Sequence, residues 1–154
     1  MKKLLIAISF ISYGVSAEVP ENLELSTGQW QSGYNRIFSP VKSGLAGGKF
    51  RAMIINHKNK NEIFLAKKGG CNSGRENKTV ETAPININGR LIATKVGCFA
   101  KGITAIYLKD NIDQQWVIGE FMRNESVIFS SIAISAKGFK KAYSNLTGNI
   151  INGV

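Results

Sequence analysis

Few side chains in this sequence have the chemistry for catalysis, and their spacing does not gather them. The single histidine, His57, stands in the polar run Asn56-His-Lys-Asn-Lys-Asn61. A Ser-His-Asp or Cys-His hydrolase would have to recruit it as base, and no Gly-x-Ser-x-Gly elbow accompanies it. An exposed turn is the plainer role for the run. A pair of carboxylates can cleave glycosides without histidine, and here Glu120 is the candidate. Read as a strand, Gln115–Met122 places Glu120 on the face of Trp116, Ile118 and Met122. Desolvation there would let a carboxyl keep its proton as a general acid. The simpler expectation is a strand acid at a sheet edge, facing solvent. Asp110 and Asp113 flank a turn and are expected to form it. No catalytic residue is assigned. The alternative function kept open is a small secreted hydrolase acting on cell-envelope material through Glu120 or His57.

Cys71 and Cys98 are the only cysteines. They lack C-x-x-C redox spacing, and two thiols with one distant histidine do not make the four-ligand set of a structural zinc. A disulfide is expected, worth about 3 kcal/mol through the loop it closes. No metal is expected. The Gly-rich stretch Pro40–Gly48 lacks the Gly-Lys-Ser/Thr ending of a phosphate-binding loop, so no cofactor is expected either.

Charge is the more informative chemistry. The 154 residues carry 20 Lys+Arg against 10 Asp+Glu, a formal +10. Most of the excess lies between residues 49 and 78, where Lys49, Arg51, Lys58, Lys60, Lys67, Lys68, Arg75 and Lys78 face only Glu62 and Glu76. Lys58, Lys60, Lys67, Lys68, Arg75 and Lys78 are the expected binding residues, on a hairpin turn and a Cys71 loop that would share one rim of a sheet. Such a rim attracts an acidic protein face or an anionic envelope component. Nucleic acid is disfavoured, because stacking needs aromatics among the cations and Phe50 and Phe64, the only ones here, sit in apolar strands.

The elements that would carry these groups read mainly as antiparallel strands. Phe50–Ile55 and Glu62–Ala66 flank the Asn-rich turn as a hairpin, and residues 67–78 form a long loop. Asn88-Gly89 is a strong hairpin-turn signal. Arg90–Phe99 follows, with Ile92, Thr94, Val96 and Cys98 on one face. Ile103–Leu108 is apolar on both faces, Gln115–Met122 reads as a further strand, and Val127–Ile134 as one more. From Ser135, a candidate N-cap, Ala136, Phe139, Ala142 or Tyr143, and Leu146 recur at helical spacing up to a stop at Gly148. The expected fold class is α+β: a meander of about six antiparallel strands with one C-terminal amphipathic helix packed on it. A small barrel capped by that helix is the alternative.

The domain occupies residues 29–154, after a polar lead-in at 18–28. Residues 1–17 have the layout of a cleaved secretory signal peptide: Lys2 and Lys3, the apolar Leu4–Ile11, and Val15-Ser-Ala17 at the cleavage point. The apolar run is too short to span a membrane core about 30 Å thick, and no transmembrane segment is expected in the mature chain. Removing Lys2 and Lys3 leaves eighteen basic and ten acidic residues, net +8. A charged fraction of 19% with 44% hydrophobic residues excludes a disordered chain. The resulting expectation is a periplasmic or secreted, non-enzymatic binding protein of the inhibitor or immunity kind. An accessory subunit of a surface assembly, pairing through an exposed strand edge, is a third reading.

Overall fold

The long strands are folded back on one another by two-residue turns with positive φ. Lys58 (φ 50) and Asn59 (φ 62) make one, Asn88 (φ 47) and Gly89 (φ 87) the other. Two successive positive φ values match the right-handed twist of the strands they join. The structure is a computed structural model that describes residues 28–72, 74 and 78–151. The expected signal peptide and nearly all of the expected lead-in, as well as Arg75, lie outside the described residues.

Among the described residues, ten strands and two α-helices follow in chain order. These are β1 (Gln31–Gly33), β2 (Arg36–Phe38), β3 (Lys42–Ser43), β4 (Lys49–His57), β5 (Lys60–Lys68), β6 (Thr79–Ile87), β7 (Arg90–Ala100) and β8 (Ile103–Leu108). Helix α1 (Asn111–Arg123), the hairpin β9 (Ser126–Phe129) and β10 (Ile132–Ser135), and helix α2 (Phe139–Ile151) complete the set. All strands belong to one sheet in the order β1-β2-β4-β5-β8-β7-β6-β9-β10, with β3 beside β4. Every ladder is antiparallel. Trp30 links the two edges, its N–H donating to Lys137 O at 2.8 Å and its indole Nε1 to Ser135 O at 2.7 Å. No ladder among the described residues closes the sheet, so it is open rather than a barrel.

Period-2 alternation divides the apolar residues between two faces. Ile37, Ala52, Ile54, Ile63, Leu65, Ile92 and Leu108 point to one face and pack with Val117, Ile118 and Phe121 of α1 and Phe139, Ala142 and Leu146 of α2. Phe38, Met53, Phe64, Ala66, Ala105 and Tyr107 form a second cluster on the opposite face. β8 lies between them, which is why it is apolar on both sides. Arg51 is buried beside the second cluster at 1% exposure, with its guanidinium 4.7 Å from the Phe38 ring centre. Burial lowers its pKa to about 10. It remains charged at neutral pH but adds little to the protein's surface field.

The sheet with a C-terminal helix agrees with expectation, but several elements differ. Gln115–Met122 is not a strand; it belongs to α1. Gln114, Val117, Ile118 and Phe121 are its buried residues, a 3-4-7 spacing that buries one helical stripe. The alternation of Trp116, Ile118, Glu120 and Met122 was accidental, and Asp113 in the first turn with Arg123 in the last suits the helix dipole. Val127–Ile134 is a hairpin instead of one strand, reversed at Ser130 (φ 54). β6 gave no apolar pattern because residues 79–84 are exposed. It accommodates Pro84 within a register shift between Thr82 and Ile85, where a missing N–H is tolerated. Helix α2 starts at Phe139, after Gly138 (φ 77), and runs past Gly148 to Ile151.

Candidate functional site

Antiparallel topology gives the sheet two ends of different character. The turns at 58–59 and 88–89 define one, the hairpin end. At the other, the loop end, β4 and β8 begin, β5 and β7 finish, and β3 pairs through Lys42 with Phe50 and Ser43 with Lys49. Lys67 faces Thr104, Lys68 faces Ile103 and Thr79 faces Gly97. Lys42, Lys49, Lys67, Lys68, Lys78 and Lys101 therefore all lie at the loop end. They span six adjacent strands, a row about 24 Å wide at about 4.8 Å per strand. All are exposed except Lys49, which is half-buried.

Covalent and polar bonds hold this end together. The Cys71–Cys98 disulfide, with Cα atoms 5.5 Å apart, ties the segment after β5 to β7. Gly69 N–H donates to Gly102 O at 2.7 Å, Gly102 N–H to Cys71 O at 2.5 Å, and Thr104 Oγ1 to Gly69 O at 2.6 Å. Lys67 Nζ lies 5.9 Å from the centre of the Phe50 ring. Gly44 and Gly48 pack on that ring so closely that a Cβ would sit 2.7 and 2.8 Å from its Cε2. Glycine is needed there for close approach.

Of the described carboxylates only Glu81, three residues beyond Lys78 on β6, comes near this end, and it is paired with Lys109. Glu62 is near the hairpin end. Glu81 pairs with Lys109 at 2.5 Å, Asp113 with Arg90 at 2.6 Å and Glu120 with Arg123 at 2.6 Å. Asp110 precedes α1 and Glu125 follows it. Arg75 and Glu76, one of each sign, are outside the described residues.

The six expected binding residues do not share one rim. Lys67, Lys68 and Lys78 are at the loop end; Lys58 and Lys60 are at the hairpin end. Eight residue steps along β5 separate Lys60 from Lys68, about 26 Å at about 3.3 Å per residue. A hairpin's turn and its open end cannot coincide. Sequence reasoning missed Lys42 and Lys101, which are distant in the chain and joined to the site only by the β3–β4 ladder and the β7–β8 turn.

The possible catalytic groups are also separated. His57 is exposed at the hairpin end, beside a polar cleft of about 660 Å³ lined also by Lys60, Glu62, Lys109, Asn111 and Gln114. Glu120 does not line it. Its Oε2 accepts from Asn88 Nδ2 at 2.8 Å, while Arg123 Nη2 donates to Oε1 at 2.6 Å. The Asn88 bond, then the Arg123 bond, hold the carboxyl below its ordinary pKa. This is the opposite direction from the proton retention a general acid requires, and Glu120 fastens α1 to the 88–89 turn. Asn88 completes the junction by accepting from Ile128 N–H at 2.8 Å. No group of three His, Cys, Asp or Glu residues that could hold a metal occurs among the described residues.

A carboxyl with a lowered folded-state pKa stabilises above its unfolded value and loses that contribution as pH falls through the folded value. Glu120→Gln is therefore expected to cost about 1 kcal/mol at neutral pH. Urea unfolding of both proteins from pH 7 downward should show the gap narrowing below about pH 4, the unfolded-state value. A gap unchanged down to pH 2 would show that the ionised carboxylate contributes nothing. No helix among the described residues is long and apolar enough to cross a membrane. In comparisons with known proteins, the chain matches no family model, no curated protein and no solved structure.

Proposed function

We propose that this chain is a small exported binding protein, of the inhibitor or immunity kind, that holds an acidic partner on the loop end of its sheet. The observation that carries this reading is the segregation of charge: six lysines in one row, with one described carboxylate near them, Glu81, which Lys109 pairs. A single-signed surface raises encounter rates with a polyanion and rejects cationic competitors. The Cys71–Cys98 disulfide would preorganise the row and reduce the entropy lost on binding. An acidic protein face and an anionic envelope component both satisfy this chemistry.

Immobilised polyglutamate tests the proposal. The oxidised protein should be retained at low salt and released as salt rises. Lys67→Glu with Lys101→Glu should weaken retention on the order of tenfold or more, as expected when several charge contacts at a shared surface are reversed. Lys58→Glu with Lys60→Glu, at the hairpin end, should change it little. Equal loss in both double variants would mean that net charge alone, rather than the loop end, drives retention.

A further inference from the structure

We infer that the partner of the loop end is an anionic lipid bilayer surface, against which the protein stands end-on; this rests on the binding reading above. The composition of the row is the first reason. Its six cations are all lysines, while the described arginines lie elsewhere: Arg36, Arg90 and Arg123 toward the hairpin end, and Arg51 buried beside the second cluster. Arginine forks recognise carboxylate and phosphate pairs by geometry, whereas lysine acts as a hydrated point charge. A lysine row therefore responds to charge density.

The second reason is shape. The lysines mark the ends of adjacent strands, so they form a line about 24 Å long instead of converging on a pocket. That length is about three Debye lengths at physiological ionic strength, so the row presents one sign to an extended surface. A tight protein interface concentrates its energy in buried Trp, Tyr and Arg anchors. The exposed large side chains Tyr34, Leu91 and Ile112 belong to the hairpin half of the molecule. At the loop end the exposed large apolar residue among those described is Val80, 71% exposed and two residues beyond Lys78. One aliphatic side chain beside a lysine row suits shallow contact at headgroup level.

The test is co-sedimentation with vesicles of phosphatidylcholine, with and without roughly one-third phosphatidylglycerol, at two salt concentrations. Binding is expected only to the anionic vesicles and should fall at high salt. Lys67→Glu with Lys101→Glu should lower partitioning on the order of a hundredfold, because each lysine near such a surface contributes severalfold. Lys67→Arg with Lys101→Arg should preserve it. A second pair, Lys42→Glu with Lys78→Glu, reports on the same row should the first fail to fold. Retention on polyglutamate with equal, weak sedimentation on both vesicle types would overturn the bilayer inference and leave the binding reading standing. Capture of one acidic protein that survives high salt would overturn it in favour of a protein partner. Loss of both polyglutamate and vesicle binding removes both readings.

Discussion

Replacing Trp30 with alanine is expected to cost about 4 kcal/mol of folding stability, more than any other substitution proposed for this chain. Trp30 is 4% exposed and packs edge-on against Phe121 and Phe139, with ring centres 5.0 and 4.7 Å away. Its removal opens a cavity where α1, α2 and the first edge of the sheet meet. It also leaves Ser135 O without the indole N–H. At the size of this chain, 4 kcal/mol corresponds to a fall of about 15 °C in Tm, readable by calorimetry or circular dichroism. Trp30→Phe should keep most of the packing and lose the hydrogen bond, costing about 1 kcal/mol. A Trp30→Ala protein that melts within a few degrees of wild type would show that the two sheet edges are held together by other contacts.

The second large effect is expected on removing the disulfide. Cys71→Ser with Cys98→Ser should cost about 3 kcal/mol, from the loop entropy released across the 27-residue separation. The loss should be uneven. β6 pairs with β7 along its length but meets β9 only at Ile87–Phe129, and its first six residues are exposed. With the bridge gone, Gly69 and Cys71 keep their hydrogen bonds to Gly102 and Thr104, but no covalent link ties Cys71 to β7. Trypsin should then cut at exposed Lys78 well before the core opens, since local opening precedes global unfolding in weakly packed regions. Cleavage spread evenly over the chain would mean that the bridge stabilises the sheet as one cooperative unit. Polyglutamate retention by the same variant would report how far the bridge orders the lysine row.

Much of the fold was legible because its causes are local. Asn88-Gly89 tolerates the positive φ values its turn requires, and the apolar alternation of Arg90–Phe99 and the two-sided apolarity of Ile103–Leu108 match the two clusters. The disulfide was legible from the presence of two cysteines without a redox or zinc spacing. α1 was misread because Trp116-Val117-Ile118 has strand propensity, and the helical stripe depends on Gln114, a polar residue buried by donating Nε2 to Leu108 O. β6 was invisible because it stays exposed and takes its order from β7. Its pairing comes from a neighbour, and its own pattern carries no trace of it.

The sequence by itself determined the net charge, the cysteine pair, the hairpin turns and the predominance of antiparallel strands, since composition and short-range periodicity are enough for these. Only the tertiary structure decided which lysines share a surface. Strand pairing brings Lys42, Lys67, Lys78 and Lys101 to one end of the sheet and carries Lys58 and Lys60 to the other. Lateral strand order depends on contacts between residues far apart in the chain, and no local pattern encodes it.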